Sequence, residues 1–148
     1  MTSSKDTCEP FREKRNDSKV RVREYGKSAV FLNPGRKDVF VTKVDGGLVN
    51  HQLAADYVVS FPDTGNIIVE LKGKEIRHAC EQILATAKLL ERCGAPRRAV
   101  GALIVCTRVP STDSTTSRLK NEFLKKHGTR LHIKSGNLEH DALKLIGK

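Results

Sequence analysis

Residues 54–73 read AADYVVSFPDTGNIIVELKG and run directly into residues 74–90, KEIRHACEQILATAKLL. Ala54–Phe61 and Asn66–Leu71 are rich in Val, Ile, Tyr and Phe, the composition of strands. Pro62-Asp63-Thr64-Gly65 between them is turn chemistry, since Pro presets φ and Gly accepts a positive φ. If Ser60 faces Asn66, opposed residue numbers sum to a constant and Asp56 falls opposite Glu70. Side chains alternate across a strand. Tyr57, Val59, Phe61, Ile67, Val69 and Leu71 therefore share one wholly apolar face, and Asp56, Val58, Ser60, Ile68, Glu70 and Lys72 share the other. Directly opposed Cβ atoms lie roughly 4.5–5.5 Å apart. Two carboxylates that close repel unless a cation sits between them, and a divalent metal with hard oxygen ligands supplies one.

A Glu-x-Lys triplet by itself marks the solvated face of an antiparallel pair as readily as it marks a site. Three features single this one out: an acid across the hairpin, a cleanly apolar opposite face, and a helix that follows at once. On these residues the chain resembles the PD-(D/E)XK nuclease superfamily. Asp56 matches the first acid, Glu70-Leu71-Lys72 the (D/E)-x-K triplet, and Gln82 a helical Gln carried by several branches. The resemblance covers about residues 45–107. It departs from the pattern in that Ala55, not Pro, precedes Asp56. The literal Pro62-Asp63 lies in the turn, away from Glu70, and turn formation accounts for it.

The resemblance implies an α/β (α+β) fold with a mixed sheet, a restriction-endonuclease-like core ordered strand-strand-strand-helix-strand with flanking helices. It implies a metal-dependent nuclease, a Mg-dependent endonuclease hydrolysing phosphodiester bonds in nucleic acid, with DNA the expected substrate. Asp56, Glu70 and the carbonyl of Leu71 would hold Mg²⁺ or Mn²⁺, Lys72 would orient the attacking water, and Gln82 would assist. Many members act as dimers, so a homodimer is expected. Asp45 is a further candidate metal ligand, although an Asp before Gly46-Gly47 is also ordinary turn chemistry. The alternative from another class is a non-catalytic nucleic-acid-binding or partner-binding module on the same scaffold. An accessory subunit or toxin with a protein partner is a third reading.

At 148 residues the chain has room for one domain with one real core. No run of 18 or more apolar residues marks a transmembrane helix. The basic N-terminal segment lacks the apolar stretch of a secretory signal. Cys8, Cys80, Cys93 and Cys106 form no Cys-x-x-Cys pair, which points to free thiols in a reducing cytoplasm rather than to zinc. The net charge of +10 is uneven: residues 1–43 hold 11 basic and 6 acidic side chains, residues 44–91 hold 4 and 7, residues 92–148 hold 12 and 4. An acidic centre between basic flanks suits a metal site beside a phosphate-binding surface. Other catalytic signatures are missing, with no phosphate-binding Gly-x-x-x-x-Gly-Lys loop, no Gly-x-Ser-x-Gly and no His-Glu-x-x-His.

Residues 1–19 read as a basic, flexible arm with a helix near 9–16, and residues 20–148 as a single nuclease-like domain. Lys19–Tyr25, Ser28–Asn33 and Val39–Val44 read as strands. The helix expected over 74–92 turns Ile76, Ala79, Cys80, Ile83, Ala87 and Leu90 to one side and is expected to pack on the apolar hairpin face, with Glu75, His78 and Gln82 on a separate stripe. Ala99–Thr107 reads as a strand buried on both faces and parallel to Asn66–Leu71. A helix over Asp113–His127 closed by Gly128, an edge strand over Arg130–Lys134 and a terminal helix over Leu138–Ile146 complete the chain.

Overall fold

The computed structural model describes residues 11–24, 26–71, 75–91, 99–108, 113–136 and 138–146. Nine strands and three helices are formed among them. Six strands make a large mixed sheet: β1 (Arg12–Arg15), β4 (Val39–Lys43), β5 (Tyr57–Phe61), β6 (Gly65–Leu71), β7 (Val100–Cys106) and β8 (Leu131–Ser135), neighbours in that order. Pairing is antiparallel from β1 through β6 and parallel from β6 through β8. A small sheet joins β2 (Lys19–Glu24), β3 (Lys27–Leu32) and the two-residue β9 (Glu139–His140).

The central hairpin has the register read from the sequence, with Ser60 opposite Asn66 and Tyr57 opposite Val69. Helix α1 (Ile76–Leu90) carries the chain from β6 to the parallel strand β7, whose inner residues are all buried. Helix α2 (Ser114–His127) carries it on to β8. Asp113 caps α2, its carboxylate accepting from the Thr116 N–H at 2.6 Å, and Gly128 closes it in the left-handed conformation.

The sheet is buried on both faces, and this corrects one expectation. Helix α1 packs not on the wholly apolar hairpin face but on the one that carries the acids. There Ile76, Ala79, Cys80, Ile83 and Ala87 meet Val58, Ile68, Ala102 and Ile104, with Leu119 and Phe123 of α2 beside them. Val58 and Ile68 already give that face an apolar centre, and the acids lie at its end. The wholly apolar face is covered by the small sheet and by α3 (Ala142–Ile146): Val20, Val22, Phe31, Leu145 and Ile146 close over Val59, Phe61, Ile67, Val69 and Leu103. Each such aliphatic or aromatic side chain contributes about 1.5–3 kcal/mol by leaving water, so two covered faces stabilise the sheet more than one could.

Two further expectations change. The helix near 9–16 gives way, over Arg12–Arg15, to a strand paired with β4, where the Arg12 guanidinium lies 5.9 Å from the Phe40 ring centre. The terminal helix is shorter than 138–146. Glu139 and His140 pair with Val30 and Phe31 as a strand, and Asp141 then caps α3 by accepting from Leu143 N–H at 3.0 Å. Among the described residues, no helix is long and apolar enough to cross a membrane.

Candidate active site

The ladder between β5 and β6 ends at Tyr57 and Val69. One residue further on, side chains replace it. The Asp56 N–H donates to Glu70 Oε1 at 3.1 Å, and the Leu71 N–H donates to Asp56 Oδ2 at 2.8 Å. Each carboxylate thus caps the other strand's backbone. Both are nearly inaccessible, Asp56 at 8% exposure and Glu70 at 2%. A buried carboxylate is costly unless hydrogen-bonded, and the two backbone donors offset part of that cost.

The segment leading into Asp56 is held from two sides. Towards β4, Val44 N–H donates to the Asp56 carbonyl at 2.9 Å and Asp45 N–H to the Ala55 carbonyl at 3.1 Å. Towards α1, Ala55 N–H donates to Thr86 Oγ1 at 2.7 Å, and Gln82 Nε2 donates to the Ala54 carbonyl at 3.0 Å. The Thr86 hydroxyl itself donates to the Gln82 carbonyl at 2.9 Å. Gln82 and Thr86 are therefore a polar latch inside an otherwise apolar helix face. Gln82 Oε1 is buried without a hydrogen-bond partner among the described residues.

A third group closes the outer side. Lys43 Nζ lies 3.1 Å from Glu24 Oε2 and 5.0 Å from the Tyr57 ring centre. The Tyr57 hydroxyl donates to the Arg23 carbonyl at 3.0 Å and lies 3.3 Å from Glu24 Oε2. Burial pushes the Asp56 carboxyl above its ordinary value; the Leu71 N–H and Glu70 oppose the shift, and the charges of Glu24 and Asp45 add to it. Burial works against charge on Lys43, but the Glu24 hydrogen bond and the negative field of Tyr57, Glu24 and Asp56 outweigh it and hold its pKa up.

The structure thus brings together Asp56, Glu70, Leu71 and Gln82, and it places exposed Asp45 one backbone bond from Ala55. Lys72 lies outside the described residues. His78 is half-buried and Glu75 is exposed. Sequence reasoning missed Glu24, Lys43, Tyr57 and Thr86 as neighbours of the acids. Glu24 had a signal: it follows Val20 and Val22 at steps of two, a charge on the inward face of its strand. Thr86 had none.

Among the described residues, no three His, Cys, Asp or Glu side chains form a group arranged to hold a metal. The carboxylates of Asp56 and Glu70, side by side in a negative field extended by Glu24 and Asp45, are the donors here whose oxygen chemistry suits a hard divalent cation. No protein-family model, curated protein or solved structure matches the chain.

Proposed function

We propose that this protein is a metal-dependent nuclease that hydrolyses phosphodiester bonds, with DNA as the favoured substrate, and that its core is restriction-endonuclease-like. One observation carries the reading: two buried carboxylates, reciprocally bonded at the end of adjacent strands, in the chain order β4, β5, β6, α1, β7. A fold that needed only stability would do better with apolar side chains there, since buried carboxylates seldom outdo a well-packed hydrophobic core.

Asp56, Glu70 and the Leu71 carbonyl would hold Mg²⁺ or Mn²⁺. Such an ion, when bound, lowers the pKa of a coordinated water and neutralises charge developing on phosphate. The chain's own residues supply the rest. Gln82 and Thr86 fix the Ala54–Asp56 backbone, so the first acid need not reorganise during the reaction. The raised proton affinity of Asp56 makes protons compete with the metal, so activity should fall on the acid side. Lys72, by the resemblance, would orient the attacking water.

The test is cleavage of labelled single- and double-stranded DNA and RNA in Mg²⁺, Mn²⁺ or EDTA, beside Glu70→Ala. Metal-dependent cutting lost in the variant supports the nuclease. Cutting by Glu70→Ala equal to that of the parent chain would sink it. One observation favours a binding module instead: Asp56 Oδ2 and Glu70 Oε1 are already engaged by backbone N–H groups. Metal-independent, salt-sensitive binding without cutting, unchanged in Glu70→Ala, would select that second reading.

A further inference from the structure

We propose that Arg21 and Arg23, on the outward face of β2, form a track that holds the phosphate backbone of one nucleic-acid strand as it reaches the acids. The destination of the track rests on the nuclease reading; its cations do not. Strand β2 alternates strictly. Val20 and Val22 are buried, whereas Lys19, Arg21 and Arg23 are exposed. Side chains two residues apart on one face stand about 7 Å apart, so the cations form an evenly spaced row.

Among the described residues the row is only partly neutralised. Lys19 is engaged, its Nζ 2.6 Å from Glu139 Oε2. Arg21 and Arg23 have no acidic partner among the described residues, although the neighbouring Arg15 lies against Glu13 and Asp17. Two like charges side by side on one strand face are unfavourable until an anion lies across them.

Their backbone is also fixed. β2 is an edge strand of the small sheet, and side chains close its open edge. Arg15 Nη1 donates to the Arg21 carbonyl at 2.7 Å, and the Tyr57 hydroxyl donates to the Arg23 carbonyl at 3.0 Å. The two arginines without an acidic partner among the described residues are thus the two whose carbonyls are pinned from outside. Anchoring the main chain reduces the ordering cost of presenting both side chains to one ligand.

The direction of the row points to its use. β2 ends at Glu24, which meets Lys43 and Tyr57, and Tyr57 follows Asp56 in the chain. Within β2, Arg23 is therefore the residue next to that Glu24–Lys43–Tyr57 cluster and Arg21 the next one out. Guanidinium groups engage phosphate oxygens through a planar fork, and a regular row of them matches a repeating anion better than a single acidic side chain.

The experiment is fluorescence anisotropy of short labelled DNA and RNA, single-stranded and duplex, in EDTA across a salt series. It compares the full chain with Arg21→Gln, Arg23→Gln and the double variant. Lys125→Gln, on the exposed side of α2, is the control. In the double variant, affinity at low salt should fall about tenfold or more, and the slope of log K against log salt should shrink by about 1.4–1.8, the release expected for two lost phosphate contacts. Unfolding midpoints should stay unchanged. No binding by the parent chain, or equal affinity and slope in the double variant, overturns the track. If the parent chain binds but never cuts and the double variant binds less, the track stands and the nuclease fails. If it cuts and the arginine variants match it in affinity and slope, the reverse holds.

Discussion

Asp56 sits where its charge is least welcome, and the consequence can be measured. Burial holds its pKa above the ordinary 3.8 in the folded chain. The folded state therefore binds the proton more tightly than the unfolded state does. The sign follows: this group's contribution is fully present below the unfolded pKa and is lost as pH rises through the raised one. Asp56→Asn removes the charge yet keeps an acceptor for the Leu71 N–H. In EDTA at pH 7 it should raise the unfolding midpoint, by about 2–4 °C for each kcal/mol relieved in a chain this size, with the gain vanishing near pH 3. A lower midpoint at pH 7 would show that Asp56 is charged without strain. Thr86 makes the second prediction at this scale. Thr86→Val keeps the shape but leaves the Ala55 N–H buried and unpaired, a cost of about 1–3 kcal/mol. Beyond that cost, it should raise the Mg²⁺ concentration needed for half-maximal cutting, and Thr86→Ser should restore it. Equal metal dependence in all three proteins would reduce Thr86 to a structural residue.

Among the elements, α3 shows how closely the second layer approaches the sheet. A methyl group added at Gly101 in β7 would stand 2.8 Å from the Leu145 carbonyl oxygen and 3.1 Å from Ile146 Cγ1. The obstruction is largely backbone, so it cannot rotate away. Gly101→Ala should therefore lift α3 from the sheet and lower stability by about 1–3 kcal/mol in urea unfolding. An unchanged midpoint would mean that α3 detaches freely. The same element logic explains which hairpin face α1 covers. Counting apolar residues on the two hairpin faces favours the cleaner one for a helix. Yet β2, β3 and α3 supply their own apolar stripe to that face, and α1 answers the mixed face with Gln82 and Thr86 placed against the acid-bearing segment.

For the molecule as a whole, metal and fold should be linked. On the proposed reading, an ion held by Asp56, Glu70 and the Leu71 carbonyl would bind the folded chain alone, because Asp56 meets Glu70 only there. At a hundred times its dissociation constant, Mg²⁺ should stabilise the protein by about 2.7 kcal/mol. Thermal unfolding with and without Mg²⁺ tests this: the shift should appear in the parent chain and shrink in Asp56→Asn. A shift of equal size in both would place the ion elsewhere. In the sequence, the acidic segment 44–91 that carries both carboxylates lies between two basic segments.

Local chemistry determined much of this protein. The Pro62–Gly65 turn sets the register that puts Ser60 opposite Asn66 and so brings Asp56 to Glu70, because a hairpin's pairing follows from its loop. Three-residue and four-residue apolar steps fix α1, and the unbroken apolar run fixes β7 as a parallel inner strand. Tertiary structure alone decided what covers each face, because burial depends on what the rest of the chain offers rather than on a strand's own pattern. It alone brought Glu24, Lys43 and Thr86 to the acids, across 32, 13 and 30 positions from Asp56. Contacts at such separations depend on how sheets and helices stack, and no local period in the sequence records that.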